Sequence, residues 1–386
     1  MRRPPPKPPG RPATRPASRP PPARERPRPT AERSFSEVEC EAEVIPGLGA
    51  VAQSELESRL GGRAALRPGA RPDTLSFRYR GDLRVLLDLR AVVAVYLTRI
   101  FAVPRPRGLL GHEHFTALVA MVKTVQDLHR PGAFRTLRFS AAGDDSAVLT
   151  RLKTELAERT GLHPGDEDAD LLLRLRRAGA GWEALVRLSP RPLTARAWRV
   201  CNLPGALNAV VGHAMVALSA PAAGDRYLNL VCGSGTLLIE RLAVGPAASV
   251  LGCDNDPQAL QCAAANLAAA GQVARVTLIQ ADAGALPLPA ASCDVLTADL
   301  PFGQLVGSHA GNERLYPRLL AEATRVAAPG ARMLLITHEV RLLERLLALP
   351  STAAAWDLVE TVRITLPFGA GGLNPRIYRL QRRADS

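Results

Sequence analysis

From Ala206 onward, five short apolar runs are separated by four segments of helical period, and this order constrains the fold of the 386-residue chain more than any other feature. The runs fall near 226–231, 249–254, 275–280, 293–299 and 331–337; the helical segments lie near 235–244, 257–270, 314–327 and 339–349. Parallel neighbours need long crossovers, so the alternation predicts a doubly wound α/β sheet. Two closing strands, 358–366 and 376–380, flank Gly369-Ala-Gly-Gly372 and read as an antiparallel hairpin at the end of the sheet.

Two segments of this frame carry chemistry. Asn229-Leu-Val-Cys-Gly-Ser-Gly-Thr-Leu-Leu-Ile-Glu240 is an apolar strand, a Gly-x-Gly turn and a helix start, where backbone N–H groups meet a polar cofactor. Asp299-Leu-Pro-Phe-Gly303 ends the fourth strand with an acceptor, a proline-stiffened turn and an aromatic face, the three things a planar amine substrate needs. A Gly-x-Gly turn alone also opens dinucleotide sites. Here the next strand ends in Gly252-Cys-Asp-Asn-Asp-Pro257, with Asp254 placed to accept both ribose hydroxyls. Asp282 with Ala283 follows the third strand, where an adenine amino group would be met. A dehydrogenase would share the loop and the ribose acid but has no use for Asp299-Leu-Pro-Phe, so S-adenosylmethionine is the expected cofactor. Asp254 and Asp256 also suit an ordinary helix cap, and for Asp256 the two uses stand level.

Toward the N-terminus the pattern is that of a small α+β module. Residues 38–44 alternate as a strand and 51–60 follow a helical period; 74–79 and 85–89 read as strands, 91–100 as helical or extended core, and 112–128 as a helix. Strands at 134–140, 170–175 and 181–188 surround a helix at 147–161, and 189–200 has the proline and polar content of a connector. The expected division is a tail at 1–36, a module at 37–190, a linker at 191–206 and a catalytic domain at 207–386.

Formal charge is +13, which points to an anionic partner such as nucleic acid. Residues 1–33 hold ten basic and two acidic side chains, so +8 of the charge lies there and +5 in the remainder. Only three of the 49 basic residues are lysine, a bias that makes part of the arginine content genomic. The same segment has twelve prolines and no aromatic residue, so disorder is expected, with an RNA-binding arm and a tolerated extension equally open. No apolar stretch approaches the roughly 20 residues of a membrane span and no signal peptide begins the chain, so a cytoplasmic location without a membrane partner is expected. Cysteines 40, 201, 232, 253, 262 and 293 form no Cys-x-x-Cys pair; reduced core thiols, no disulfide and no metal are expected.

On the residues quoted, the chain resembles the class I S-adenosylmethionine-dependent methyltransferases, and more narrowly the THUMP-domain RNA methyltransferases that modify the exocyclic N2 of guanine in tRNA. The resemblance covers roughly residues 38–383 and includes Leu315-Tyr-Pro317, Leu335-Ile-Thr-His-Glu339 and Asn374-Pro-Arg-Ile-Tyr378. It implies an α/β Rossmann-like class I methyltransferase sheet with an antiparallel C-terminal hairpin, preceded by a smaller α+β module, ferredoxin-like plus THUMP. Carried over onto matching positions, Cys232, Gly233, Ser234, Gly235 and Thr236 shape the methionine-side loop, Asp254 with Asn255 serves the ribose, and Asp282 with Ala283 the adenine. Asn229 stands where many relatives begin the loop with a carboxylate; an amide still accepts from the cofactor's ammonium, with less strength. Asp299, Leu300, Pro301 and Phe302 form the catalytic turn.

The chemistry so implied is placement of an amine in line with an activated methyl, without metal or covalent nucleophile. Asp299 and a backbone carbonyl at Leu300 or Pro301 would accept from the amine, Phe302 would stack on an extruded base, and His309 and Arg314 are loop candidates for phosphate. His338 is expected beside the fifth strand and Trp198 in linker core. The module would hold tRNA through phosphate contacts, with Arg135, Arg138, Arg174, Arg176 and Arg177 as candidates, about half of them facing solvent. No obligatory protein partner is expected, the chain being monomeric or weakly dimeric, and the acceptor stem is the expected target. Rival readings are an rRNA guanine-N2 or nucleic-acid adenine-N6 methyltransferase, and a noncatalytic RNA-binding protein.

Overall fold

The computed structural model describes residues 36–69, 71–143, 146–302, 307–367 and 372–384; the expected N-terminal tail, save Ser36, lies outside them. The first half builds one eight-stranded sheet from β1 (Val38–Glu43), β2 (Ala64–Pro68), β3 (Thr74–Tyr79), β4 (Ala94–Phe101), β5 (Thr136–Ala141), β6 (His163–Pro164), β7 (Leu171–Ala178) and β8 (Gly181–Arg187), in the order β2-β3-β1-β4-β8-β7-β5-β6. β5 pairs parallel with β6 and β7, and the other neighbours are antiparallel. Helices α1 (Gly49–Leu60), α2 (His112–Gln126) and α3 (Ala147–Thr160) cover it, each burying a stripe at helical spacing: Ala52, Leu56 and Leu60; Leu118, Met121, Val122 and Val125; Leu149, Leu152 and Leu156.

Of residues 85–89, expected as a strand, 85–88 instead lie in a 3-10 helix, Leu83–Asp88. The Asp82 side chain accepts from the Arg84 N–H and starts this turn, so a polar cap decides the conformation of an apolar run. β2 escapes a periodicity reading because none of its residues is fully buried, as befits a strand at the sheet edge.

The second sheet contains β9 (Arg226–Asn229), β10 (Ser249–Asp254), β11 (Thr277–Gln280), β12 (Cys293–Asp299), β13 (Ala327–Thr337), β14 (Trp356–Arg363) and β15 (Arg376–Arg382), in the order β11-β10-β9-β12-β13-β15-β14. The first five run parallel and β15 is antiparallel to both its neighbours. This is the doubly wound sheet with the antiparallel C-terminal pair; residues 369–371 of the expected turn lie outside the described residues. Helices α4 (Ala209–Leu218), α5 (Thr236–Val244), α6 (Pro257–Ala269), α7 (His309–Val326), α8 (Val340–Leu347) and α9 (Pro350–Ala355) pack around it. α4 has no solvent-facing side, since Ala209–Val216 is buried throughout, and it therefore shows no amphipathic period in the sequence.

A shared core joins the two halves: Ile45 and Leu48 pack with Val210, Val211, Leu237, Ile336 and Ile377. Beside it sits Glu240 of α5, with a wholly buried carboxylate. Arg90 donates to it at 2.8 and 2.9 Å and Arg196 at 3.0 Å, while His213 Nδ1 stands 3.4 Å away. Burial pushes the Glu240 carboxyl up, but His213, Arg196 and Arg90 together outweigh it and hold it down to about 2.

One covalent expectation is overturned. Cys201 and Cys262 form a disulfide, with Cα atoms 5.4 Å apart. The connector runs back along α6 and brings together residues 61 positions apart, which spacing in the chain does not announce. Cys40, Cys232, Cys253 and Cys293 are free and buried. Among the described residues no helix is long and apolar enough to cross a membrane.

Candidate active site

Four neighbouring strands deliver the site residues to one edge of the second sheet. Asp282 follows β11, Asp254 ends β10, the 230–235 loop leaves β9 and Asp299 ends β12. With strands about 4.8 Å apart, these groups span roughly 14 Å. The strand order reverses between β9 and β12, the switch point at which open α/β sheets bind ligands.

The loop turns on two left-handed glycines, Gly233 at φ +49° and Gly235 at φ +82°. A Cβ on Gly235 would also stand 3.2 Å from the Ala263 Cβ. The Gly233 N–H donates to Asp254 Oδ2 at 2.8 Å and the Asp256 N–H to Oδ1 at 3.1 Å. A carboxylate offers about four acceptor positions, so Asp254 keeps capacity for a pair of hydroxyls. Asp256 caps α6, accepting from the Gln258 N–H at 2.8 Å, and Asn255 between the two acids is exposed.

Cys232, Ser234 and Thr236 are buried. The Cys232 N–H donates to the Cys253 carbonyl at 2.7 Å, and burial pushes the Cys232 thiol up, away from reactive thiolate. Asn229 is 1% exposed and its Oδ1 has no hydrogen-bond partner. An orphaned buried acceptor costs about 1–3 kcal/mol. Its place at the end of β9 suits an ammonium donor, so the residues fit the expected cofactor. Asp282 is held by the Gly284 N–H at 2.8 Å and Arg318 at 2.7 Å, which keep its carboxyl below the usual range; Ala283 beside it is buried.

At the end of β12 no donor among the described residues reaches the Asp299 carboxylate. Burial pushes its carboxyl up to about 7, and part of the side chain stays open to water, which limits that rise. The following turn is clamped. The Pro301 carbonyl accepts from Asn312 Nδ2 at 2.8 Å and from Tyr316 Oη at 2.7 Å. Tyr316 Oη is also 2.8 Å from Thr337 Oγ1, which accepts from the Glu339 N–H at 2.9 Å. Both lone pairs of the Pro301 carbonyl are thus taken. The Leu300 carbonyl, reached by no donor among the described residues, is the available one of the two acceptors expected. Phe302 is half-buried, with its ring centroid 6.2 Å from that of His338 and its back against the shared core. Gly303 lies outside the described residues.

The sequence does not mark Asn312, Tyr316 and Thr337 as the supports of this turn. Tyr316 and Thr337 lie in segments quoted for the family resemblance, whereas Asn312 gives no sequence signal. His309 is not in a loop but begins α7 behind the Ser308 cap, with Nδ1 3.0 Å from Glu339, whose hydrogen bond and charge raise its pKa. Arg314 is exposed on α7. Three of the five candidate arginines are already engaged: Arg174 with Glu43 at 2.8 Å, Arg176 with Glu41 at 2.6 Å and Glu183 at 2.8 Å, and Arg177 with the Pro104 carbonyl at 2.9 Å. Arg138 lies 3.7 Å from Glu167, and Arg135 is exposed. Trp198 packs on Ala209, Ile239 and Leu267.

Residues 196–365 match the UPF0020 family, described as an RMKL-like methyltransferase domain. The chain is similar to the tRNA (guanine(6)-N(2))-methyltransferase THUMP3 of Bos taurus, 31% identical over 195 residues, which are 47% of this chain and 37% of that protein. It is also similar to the tRNA (guanine(6)-N2)-methyltransferase of Thermus thermophilus, 32% identical over 213 residues, 54% of this chain and 60% of that one. The matched segments thus span less than two thirds of either relative. The crystal structure of TrmN from Thermus thermophilus shares the fold, with a TM-score of 0.67 at 24% identity over 90% of this chain and 100% of that one.

Proposed function

We propose that the chain transfers a methyl group from S-adenosylmethionine to the exocyclic N2 of a guanosine in tRNA, in the acceptor stem. The observation that carries the reading is the pair of acceptors at the end of β12 that no donor among the described residues reaches, the Asp299 carboxylate and the Leu300 carbonyl, beside the Phe302 ring. Two acceptors match the two hydrogens of an exocyclic amine. The names of the curated relatives, tRNA guanine-N2 methyltransferases, support the same choice of base and RNA. Residues 37–190 are assigned to holding the RNA, 191–206 to linking, and 207–386 to catalysis.

Asn229 would hold the ammonium of the cofactor, the 232–236 loop its methionine side, Asp254 the ribose, and Asp282 with Ala283 the adenine. When bound, S-adenosylmethionine supplies an electrophilic methyl group on a sulfonium. The chain's own work is then placement and charge. Asp299 and Leu300 draw the amine lone pair out of conjugation and offset the positive charge that grows on nitrogen. The methylated nitrogen is acidic, so a carboxylate near neutrality is a sufficient base for the proton it sheds. Phe302 stacks on the extruded base, worth about 1–3 kcal/mol. The Asn312–Tyr316–Thr337 clamp keeps the turn from rearranging as charge develops.

The test is nucleoside mass spectrometry of unmodified tRNA and, separately, of ribosomal RNA, each incubated with the protein and labelled S-adenosylmethionine, alongside Asp299→Ala. Labelled N2-methylguanosine from wild type alone supports the reading. Label found only on ribosomal RNA, or as N6-methyladenosine, replaces it with the corresponding rival. A wild type that binds no cofactor by calorimetry makes the chain a noncatalytic RNA-binding protein.

A further inference from the structure

Asn266 of α6 lies outside every expected ligand position, yet it is fully buried and spends all of its hydrogen-bonding capacity on two distant segments. Its Oδ1 accepts from the Val200 and Cys201 N–H groups, both at 2.9 Å. Its Nδ2 donates to the Cys201 carbonyl and to the Ser234 carbonyl, again at 2.9 Å. One side chain therefore ties the connector to the Gly-rich loop. Cys262, which forms the disulfide with Cys201, precedes Asn266 by one helical turn and lies on the same face of α6. A third tie joins the same partners, Arg199 donating to Thr236 Oγ1 at 3.0 Å and to the Leu207 carbonyl at 2.8 Å.

We propose that Asn266 is a positioning residue for the cofactor loop, holding the Ser234 carbonyl to the connector at Cys201, and that the Cys201–Cys262 bridge sets how firmly this tie is held. The proposal rests on reading the 229–236 loop as the cofactor site. Closing the bridge removes two electrons and two protons from the two thiols, which a low-molecular-weight disulfide accepts in leaving as two thiols; a dithiol reductant reverses the exchange. Cys201 is partly exposed while Cys262 is buried, so Cys201 is the cysteine on the solvent side of the bridge. With the bridge open, only hydrogen bonds keep Cys201 against Asn266, and the Ser234 carbonyl loses the rigidity of its support.

The experiment compares the full-length protein oxidised with a small disulfide and reduced with a dithiol, together with Cys262→Ser, Asn266→Ala and the double substitution. Amide hydrogen exchange is followed at 232–236, and the dissociation constant of S-adenosylhomocysteine is measured by calorimetry. Reduction is expected to speed exchange in the loop and weaken binding on the order of fivefold, the worth of one hydrogen bond. Cys262→Ser, with its remaining Cys201 thiol kept reduced by the dithiol, should reproduce this, and Asn266→Ala should weaken binding further and also cease to respond. In turnover the loss should appear in the KM for S-adenosylmethionine with kcat unchanged, a split that general destabilisation would not produce. Equal exchange and equal affinity in the two thiol states overturn the proposal, as does an Asn266→Ala protein that responds like wild type. If Asn266→Ala does not fold, wild type against Cys262→Ser decides. A protein that binds no S-adenosylhomocysteine in either state sinks the cofactor reading, while loop exchange still decides the coupling.

Discussion

Asp299→Asn should make the protein less sensitive to alkaline pH while abolishing methyl transfer. In the folded chain burial raises the Asp299 carboxyl from 3.8 to about 7, so the native state binds a proton that the unfolded chain has already released. Stability from this group is complete below the unfolded value and is lost as pH rises through the folded one. Between pH 5.5 and 8.5 the loss covers the interval from 5.5 to about 7, and at 1.36 kcal/mol per unit that is ~2 kcal/mol. Water at the open part of the side chain screens the charge and brings the expected figure to about 1–2 kcal/mol. Urea unfolding of both proteins at the two pH values reads the quantity directly: wild type should lose that much more than Asp299→Asn. Activity gives a second reading, since a protonated carboxyl cannot accept from the amine; kcat/KM of wild type should fall tenfold per unit below pH 7. Parallel stability profiles in the two proteins would refute the claim that a partly buried carboxylate with no donor among the described residues ends β12.

Asn229→Asp places a charge where the structure has an orphaned acceptor; calorimetry should show about tenfold tighter S-adenosylmethionine binding, and calorimetric scanning of the free protein a lower melting temperature. Asp254→Ala removes both the Gly233 tether and the expected ribose acceptor, so cofactor affinity should fall by about 100-fold with RNA binding intact by filter assay. Phe302→Ala should raise the KM for RNA by a factor corresponding to about 1–3 kcal/mol and leave cofactor affinity unchanged. Glu240→Gln leaves Arg90 and Arg196 without their carboxylate, and urea unfolding should show a loss of about 3–5 kcal/mol.

The five parallel strands of the second sheet are legible in the sequence because each is an apolar run closed by a polar residue at its carboxyl end. For the same reason Asp254, Asp282 and Asp299 stand out from the residue pattern alone: each interrupts hydrophobic patterning where no packing explanation calls for an acid. α4 is illegible because it is buried on all sides and carries no amphipathic period. The Asn312–Tyr316 clamp depends on α7 folding back over the turn, and the Asn266 tie on a connector crossing α6. Neither arrangement leaves a mark in local spacing. The arginines of β7 illustrate the opposite error: their alternation suggests a phosphate-facing row, yet Arg174 and Arg176 spend their charge on Glu43, Glu41 and Glu183 from neighbouring strands.

The ion cluster at Glu240 leaves no clean seam along which the molecule can be divided. Its carboxylate belongs to the helix that opens at the glycine loop, while its arginines come from positions 90 and 196, ahead of that half in the chain. A fragment cut at residue 206 would keep the acid and lose both guanidinium partners, and would bare the apolar surface that Ile45 and Leu48 cover. The second half is therefore not a cassette to be grafted onto another N-terminal module. An exchange of modules between relatives can succeed only where the incoming part supplies an arginine to meet that buried acid, so the two halves are bound to change together.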